Sequence, residues 1–109
     1  MYTDIRTTST EVLLRAVADP KRRAILEELR AVEEDLVTVE RLTESFFSDV
    51  SRDHSGDQRR RAAIELRHTH LPKLAEANLI EYDRVHGTVS YRGTERTEAL
   101  LTFIAKTLE

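Results

Sequence analysis

The sequence has no cysteine, only two prolines and three glycines, and no long apolar run. Without cysteine, the chain can form neither a disulfide framework nor a thiolate metal site. Its apolar stretches fall well short of a membrane-spanning helix or the core of a signal peptide. These absences predict an intracellular, cytoplasmic protein whose fold depends on its own hydrophobic core.

The motifs of common enzyme classes are also missing. The sequence contains no glycine-rich phosphate loop, no nucleophile elbow and no His-Glu-x-x-His pair. The neighbouring glutamates Glu27-Glu28 and Glu33-Glu34 fall in segments expected to be solvated, where carboxylates are ordinary surface groups. We therefore expect a protein that is not an enzyme and that uses no cofactor.

The chain has the size and charge of one small, highly charged domain. Its 109 residues are 39% apolar and 34% charged, which suits a modest core. We place the domain at residues 8–109, after a flexible tail at 1–7. The net charge of −3 argues against a basic nucleic-acid-binding protein, but acidic residues concentrate before position 50 and basic clusters come after it. With 14 arginines against three lysines, and 20 acidic residues against 17 basic ones, the composition suits a salt-rich cytoplasm.

Three helices are predicted in the first half of the chain. Thr8 and Glu11 match the capping box, in which a hydroxyl and a glutamate satisfy each other's backbone donors. Asp19 and Pro20 suit the N-cap and first residue of the second helix, and Thr38 can cap the third. The helices would cover about residues 10–18, 20–32 and 38–50, before a polar loop at 51–57. The predicted buried residues are Val12, Leu13, Ala16, Val17, Ile25, Leu26, Leu29, Val39, Leu42, Phe46, Phe47 and Val50. The residues expected on or near the solvent side of the second helix are Lys21, Arg22, Arg23 and Arg30.

A fourth helix is predicted from about residue 58 to 77, and its phase is irregular. Leu66 points away from the main apolar face, whereas Arg67 falls on it; that face consists of Ile64, Leu71, Leu74 and Ala75. Pro72 adds to the difficulty because an interior proline removes a backbone hydrogen bond. Either one helix is kinked near the proline, or two shorter helices meet there with Thr69 as an N-cap. We prefer the kinked helix.

The second half ends with a β-hairpin and a last helix. The fourth helix would end near Asn78, a residue that tolerates the left-handed backbone of many helix ends. Strands at about 79–86 and 88–91 would turn at His86-Gly87, and Thr94 can cap an apolar helix to about residue 108. A helix that runs directly into a two-stranded ribbon is typical of winged helix-turn-helix domains. The predicted fold class is therefore mainly α with a small β-hairpin (α+β), with four to five helices and a two-stranded wing.

Two stretches resemble a known family. Residues 16–29 resemble the opening of the ArsR-type winged-helix regulators, which share the pattern A-D-P-x-R-x-x-I-L. Residues 70–82 resemble the end of their recognition helix, where H-L-x-x-L-x-x-A-G-L-V leads into the wing. The run H-x-H-L-P-K-L at 68–74, followed by Glu-Tyr-Asp at 81–83, is similar to small winged-helix proteins of halophilic archaea. The resemblance covers about residues 10–92 and implies a winged-helix regulator that binds DNA.

The sequence also departs from the ArsR pattern. Asn78 stands where glycine is usual, Gly87 makes the wing short, and the Cys-x-Cys metal-sensing motif of many ArsR proteins is missing. Metal sensing of that type is therefore not implied. His68 and His70 do not suggest a metal site either, because helical residues two apart project about 160° from each other. A kink at Pro72 could change this geometry, and His54 or His86 could then contribute to a site.

The predicted DNA-binding residues are basic or polar and lie on the fourth helix and the wing. Guanidinium groups bind phosphates and can bind guanine edges at two points. Arginines at a helix start are electrostatically unfavourable there, since that end of a helix is positive, so three of them favour a polyanionic partner. Because salt weakens phosphate-driven binding, a protein working in high salt would depend more on base-edge, shape and apolar contacts. The predicted set is Arg59, Arg60, Arg61, Arg67, Thr69, His70, Lys73, Arg84 and His86.

The apolar C-terminal helix is the predicted site of self-association. Winged-helix regulators often dimerise through terminal helices, and a two-fold dimer suits repeated DNA half-sites. The expected interface comprises Val12, Leu13, Leu100, Leu101, Phe103, Ile104 and Leu108. The hypothesis is thus a homodimeric regulator bound to double-stranded DNA. Two alternatives stay open: a monomer whose last helix closes the core, and a winged helix that binds another protein instead of DNA.

Overall fold

The computed structural model describes residues 9–48 and 56–109, with only the backbone at 46–48. This part of the chain contains six α-helices, two π-helical turns and three short strands. In chain order they are α1 (Thr10–Val17), α2 (Pro20–Ala31), β1 (Val37–Thr38), α3 (Val39–Ser48), α4 (Gly56–Glu65), a first π turn (Leu66–His70), α5 (Leu71–Glu76), β2 (Ile80–Asp83), β3 (Thr88–Tyr91), α6 (Glu95–Phe103) and a second π turn (Ile104–Leu108). The predicted mainly α fold with a small β component is confirmed. The predicted burial of Phe46, Phe47 and Val50, and most of the predicted loop, lie outside what is described.

Side-chain caps set the starts of the first two helices. The Oδ1 atom of Asp19 accepts a hydrogen bond from the backbone N–H of Lys21 at 2.7 Å, so the predicted cap of α2 is confirmed. In α1 the cap is Ser9, whose Oγ accepts from the N–H of Val12 at 3.2 Å. The expected capping box placed this role one residue earlier, at Thr8, which lies outside the described residues. With Ser9 as the cap, the third helical residue is a valine, which cannot return the hydrogen bond.

The sheet has a third strand, which lies between the second and third helices, where no strand was predicted. β1 pairs antiparallel with β3, with Val37 opposite Val89, and the strand order is β1-β3-β2. The expectation of two strands was wrong because a two-residue strand is too short to show an alternating pattern.

Thr38 caps α3 as predicted, accepting a hydrogen bond from the N–H of Arg41 at 3.1 Å.

The irregular fourth helix is one continuous helix that contains a π turn. Leu71 donates its backbone N–H to the carbonyl of Leu66, five residues earlier, and the backbone stays right-handed on both sides. Of the two alternatives, a single helix is therefore correct. Pro72 lies directly after the π turn and cannot donate to any preceding carbonyl. The helix begins at Gly56, two residues before the predicted start.

The π turn changes which side chains of this helix face the core. A π turn holds about one residue more than an α turn, so residues before it are rotated by about 100° relative to those after it. Leu66, predicted to point away, is buried, whereas Ile64, predicted to be buried, is 50% exposed. Leu71, which closes the π turn, and Leu74, which follows it, are fully buried as predicted.

Asn78 ends the helix in the left-handed conformation that was predicted, with a φ of 62°. The N–H of Leu79 donates to the carbonyl of Leu74, and the N–H of Asn78 to that of Ala75, both at 3.0 Å. This pair of hydrogen bonds is the Schellman cap. It satisfies carbonyls at the helix end and directs the chain into β2 within two residues.

Asp83 shapes the turn between β2 and β3. Its Oδ1 accepts hydrogen bonds from the backbone N–H groups of Val85 at 3.0 Å and His86 at 3.1 Å. Gly87 follows with a φ of 65°, a conformation that glycine adopts without steric cost. The carbonyl of Gly87 accepts from the N–H of Val39 at 2.9 Å, which attaches the hairpin turn to the start of α3.

The C-terminal helix closes the core. Thr94 and Thr97 form a reciprocal capping box at its start, and Leu101 and Ile104 are buried. The other core side chains come from every helix except α4 and from all three strands. They include Leu13, Ala16, Val17, Ile25, Leu26, Leu29, Val37, Val39, Leu42, Leu66, Leu71, Leu74, Ala77, Leu79, Ile80 and Val89. Within the described ranges, no helix combines the length and apolarity needed to cross a membrane.

A polar junction holds α6 against α2 and β3. The phenol of Tyr91 donates a hydrogen bond to the carboxylate of Glu98, which also forms an ion pair with Arg30 at 2.6 Å. Burial, together with the Glu98 carboxylate, raises the pKa of Tyr91 well above its ordinary value. The phenol therefore keeps its proton and its hydrogen bond across the neutral range.

We predict that Asn78→Ala lowers the free energy of unfolding by about 1 kcal/mol, the order of the cost of a left-handed backbone for a residue with a Cβ atom. Asn78→Gly is the matched control, because glycine adopts this φ freely, and should be at least as stable as the wild type. Urea denaturation measures both. Equal stability of the alanine and glycine variants would contradict the importance of the left-handed cap.

Candidate nucleic-acid interface

One side of the α4–α5 helix faces outward and carries exposed basic and polar residues. Arg61 and Ile64 are three residues apart, and Ile64 and His68 are four apart, so they share a face. Within the π turn the helical spacing changes. Thr69 and Lys73, which are four residues apart, lie on the same side of the helix as Ile64. This side, the outer face, consists of Arg60, Arg61, Ile64, His68, Thr69 and Lys73, all of them exposed.

The outer face is not neutralised by the chain's own carboxylates. Arg60 pairs with Asp57 at 3.3 Å, but both side chains are more than 70% exposed, so this ion pair is weak. In the described part of the chain, no hydrogen bond or ion pair engages the side chains of Arg61, Thr69 or Lys73. Three predicted DNA-binding residues are thus available to an outside partner.

Two other predicted arginines form ion pairs with α3 while remaining partly exposed. Arg67 forms an ion pair with Glu40 at 3.0 Å, and Arg59 forms a close one with Glu44. A groove of about 360 Å³ lies between the two helices along these pairs. The arginine triplet of the sequence is therefore divided: Arg59 pairs with α3, Arg60 lies between this groove and the outer face, and Arg61 belongs to the outer face alone.

His70 is buried and cannot contact DNA as predicted. It is 6% exposed, and its Nδ1 atom lies 3.4 Å from the guanidinium Nη1 of Arg22. Its Nε2 atom is 3.5 Å from a carboxylate oxygen of Glu65 and has no hydrogen-bond partner within the described residues. The π turn causes this burial, because it rotates His70 onto the core side beside Leu71. His68 stays exposed, so the two histidines lie on different sides of the helix.

Arg22, expected near solvent, is 9% exposed and binds the end of α1. Its Nε donates to the carbonyl of Ala16 at 2.7 Å, and its Nη2 donates to that of Arg15 at 3.0 Å. The last carbonyls of a helix have no partner within it, and a cation is favourable at that negative end. The sequence does contain a signal for this role. Because α2 starts only three residues after α1 ends, an arginine in its first turn can reach back to those carbonyls.

Two charged residues beside Arg22 make different contacts: Lys21 joins α2 to the α4–α5 helix, and Asp19 caps α2. Lys21 forms an ion pair with Glu65 at 2.9 Å, across 44 positions of sequence. This hydrogen bond, against a smaller effect of burial, lowers the pKa of Glu65 below its ordinary value. For Asp19, partial burial works to raise the pKa, but backbone hydrogen bonds and the Arg22 charge outweigh it and lower the pKa. Both carboxylates therefore remain ionised at neutral pH.

The two predicted wing residues lie on the exposed hairpin turn. Arg84 lies over the ring of Tyr82, with its guanidinium carbon 5.9 Å from the ring centroid. His86 contacts the carboxylate of Asp83 through Nδ1 at 2.7 Å. That hydrogen bond is the main reason why the pKa of Asp83 lies below its ordinary value. Val85, between them, is 88% exposed at the tip.

The residues expected at a dimer interface divide into three groups by their exposure. Leu13, Leu101 and Ile104 are buried in the chain's own core and therefore present almost no surface to a second copy. Phe103 and Leu108 are 54% and 68% exposed. The remaining two, Val12 and Leu100, are partly buried against the core.

The comparison with known families identifies the chain. A family described as a domain of unknown function, DUF7344, matches residues 14–90. The chain belongs to this family. The matched segment contains Arg22, the π turn and both hairpin strands up to Ser90, whereas α6 lies beyond it. No curated protein and no solved structure gives a significant match.

We predict that Arg22→Met lowers the free energy of unfolding by about 2–3 kcal/mol. The substitution keeps the apolar volume but removes charged hydrogen bonds to the carbonyls that end α1. Lys21→Met is the matched control, because it removes a neighbouring cation whose ion pair is exposed, and should cost about 0.5 kcal/mol. Urea denaturation measures both. Equal losses in the two variants would show that the buried guanidinium has no special role.

Proposed function

We propose that this protein is a cytoplasmic transcription regulator that binds double-stranded DNA through a winged helix-turn-helix fold. The α4–α5 helix enters the major groove, and the β2–β3 hairpin acts as the wing beside it. The observation that carries the proposal is the outer face. It presents two cations and a hydroxyl, Arg61, Lys73 and Thr69, which no carboxylate of the described chain engages.

The chemistry of the outer face suits a duplex. An arginine can bind the O6 and N7 atoms of guanine at two points, and a threonine can bond to base edges or phosphates. A lysine supplies a point charge for a phosphate. Arg60 can exchange its exposed carboxylate partner for a phosphate at little cost, since such surface pairs contribute little.

The rest of the fold supports such a helix. Its inner side is fixed by the fully buried Leu71 and Leu74. Exposed ion pairs, each of which contributes little, connect its flank to Glu40 and Glu44 of α3 and its middle to Lys21 of α2. A rigid helix loses little conformational entropy on binding, which favours affinity. In salt-rich surroundings this preorganisation offsets part of the loss of phosphate attraction.

A homodimer fits the same proposal. Phe103 and Leu108 expose apolar surface near the C-terminus, where the chain's core does not cover them. A two-fold pair would present two outer faces to repeated half-sites. The same surface favours the alternative function, a winged helix that binds another protein, so DNA binding and association must be tested separately.

We predict that Arg61→Gln combined with Lys73→Gln weakens binding to random-sequence duplex DNA. It should also reduce the slope of log affinity against log salt by about 1, since Lys73 is the phosphate contact of the pair and each phosphate contact contributes about one unit. The measurement is fluorescence anisotropy over a series of KCl concentrations. The control is Lys106→Gln, an exposed cation on the C-terminal helix, which should leave the slope unchanged.

Two outcomes of this titration would reject the proposal. One is the absence of any duplex binding by the wild-type protein at low salt. The other is an equal effect of the double variant and of Lys106→Gln, which would indicate attraction without a defined face.

We predict that Phe103→Glu combined with Leu108→Glu converts a dimer to a monomer, because burying these charges at an interface is costly. Sedimentation equilibrium measures the mass. Thr102→Glu, an exposed neighbour, is the matched control and should leave the dimer intact. An unchanged mass in the double variant would remove this helix from the interface, and a monomeric wild type would reject the dimer.

A further inference from the structure

Ile64 is an apolar side chain in the middle of the charged outer face. It is 50% exposed, and it lies one turn from Arg61 on one side and one turn from His68 on the other. The regular helix phase would have buried it. The π turn gives the inner position to Leu66 instead and leaves Ile64 facing outward.

Packing within the chain does not account for Ile64. It is absent from the core, and α4 contributes no buried residue of its own. A single exposed apolar residue is ordinary on a protein surface. Ile64 differs in its surroundings, because Arg60 and Arg61 precede it by one turn and Lys73 follows along the same side. Because these side chains are positively charged, the partner that this surface fits is a polyanion.

Duplex DNA offers one apolar group to such a side chain. In the major groove each base pair shows hydrogen-bonding groups, and thymine alone adds a C5-methyl group. A β-branched side chain has few rotamers to lose on contact with it. The chemistry of Ile64 therefore matches thymine, while that of Arg61 matches guanine.

We propose that Ile64 determines sequence specificity by contacting the C5-methyl group of a thymine, close to a guanine bound by Arg61. The proposal rests on the proposed DNA-binding function. Three residues of α-helix advance by about 4.5 Å, and successive base pairs by about 3.4 Å. The thymine lies within one or two base pairs of the guanine.

The test begins with selection of bound sequences from a random duplex library by the wild-type chain and by Ile64→Ala. Each thymine of the selected site is then replaced, one at a time, by uracil, which removes only the methyl group. At one position the replacement should lower the affinity of the wild type about fourfold, which corresponds to the loss of one buried methyl-sized group. Ile64→Ala should bind the thymine and uracil duplexes equally. Because Ile64 lies outside the core, this variant keeps the fold, which thermal unfolding verifies.

Leu36→Ala serves as the control, since Leu36 is another exposed apolar residue, 59% exposed, in the segment before β1. It should keep the wild-type sensitivity to uracil. A selected site with no sensitive thymine, or equal sensitivity in Ile64→Ala, overturns the role of Ile64 and leaves DNA binding standing. A wild-type chain that enriches no sequence and retains no duplex overturns the proposed function together with this inference.

Discussion

The structure depends on one buried guanidinium. The guanidinium of Arg22 is stable when buried because it donates hydrogen bonds to the carbonyls of Ala16 and Arg15 at the end of α1. Its Nη1 atom also lies beside His70 in the π turn. The end of α1, the start of α2 and the distant π turn thus meet at a single side chain. A lysine in its place would have no planar fork with which to reach two carbonyls and the imidazole together. Removal of the guanidinium leaves the carbonyl of Ala16 without its 2.7 Å hydrogen bond and Nδ1 of His70 without its neighbouring cation.

The π turn follows from this arrangement and sets the orientation of the outer face. With His70 held beside Arg22 and Leu71 in the core, the helix must fit one additional residue between Leu66 and Leu71. The residues before the turn are rotated, so Ile64 faces outward with Arg61. The ion pairs to Glu40 and Glu44 then fix the flank of the helix against α3. π turns inside α-helices are frequent at functional sites, and this one lies directly behind the proposed DNA-binding residues.

Local signals in the sequence predicted much of the fold, whereas long-range contacts decided the rest. The cap at Asp19, the left-handed Asn78 and the capped start of α6 each involve residues within a few positions of one another, so the pattern sufficed. β1 could not be predicted because its pairing with β3 spans about fifty residues. The burial of His70 and the exposure of Ile64 could not be predicted for the same reason: each depends on the π turn, which only tertiary packing stabilises. The contact of Arg22 with the end of α1 is local, and its sequence signal was missed. Of the predicted DNA-binding residues, the chain brings Arg60, Arg61, Thr69 and Lys73 onto one face, turns Arg59 and Arg67 toward α3, and buries His70.

The central claim is that the outer face of the α4–α5 helix is the surface that binds duplex DNA. NMR mapping of backbone amides during titration with a duplex tests it most directly, because every described residue except the prolines reports its own environment. The account predicts shifts concentrated at residues 60–73 and at the hairpin turn 84–86, with α1 and α6 largely unaffected. Shifts confined to α6, or no shifts at a duplex concentration that saturates other DNA-binding domains of this size, would contradict it.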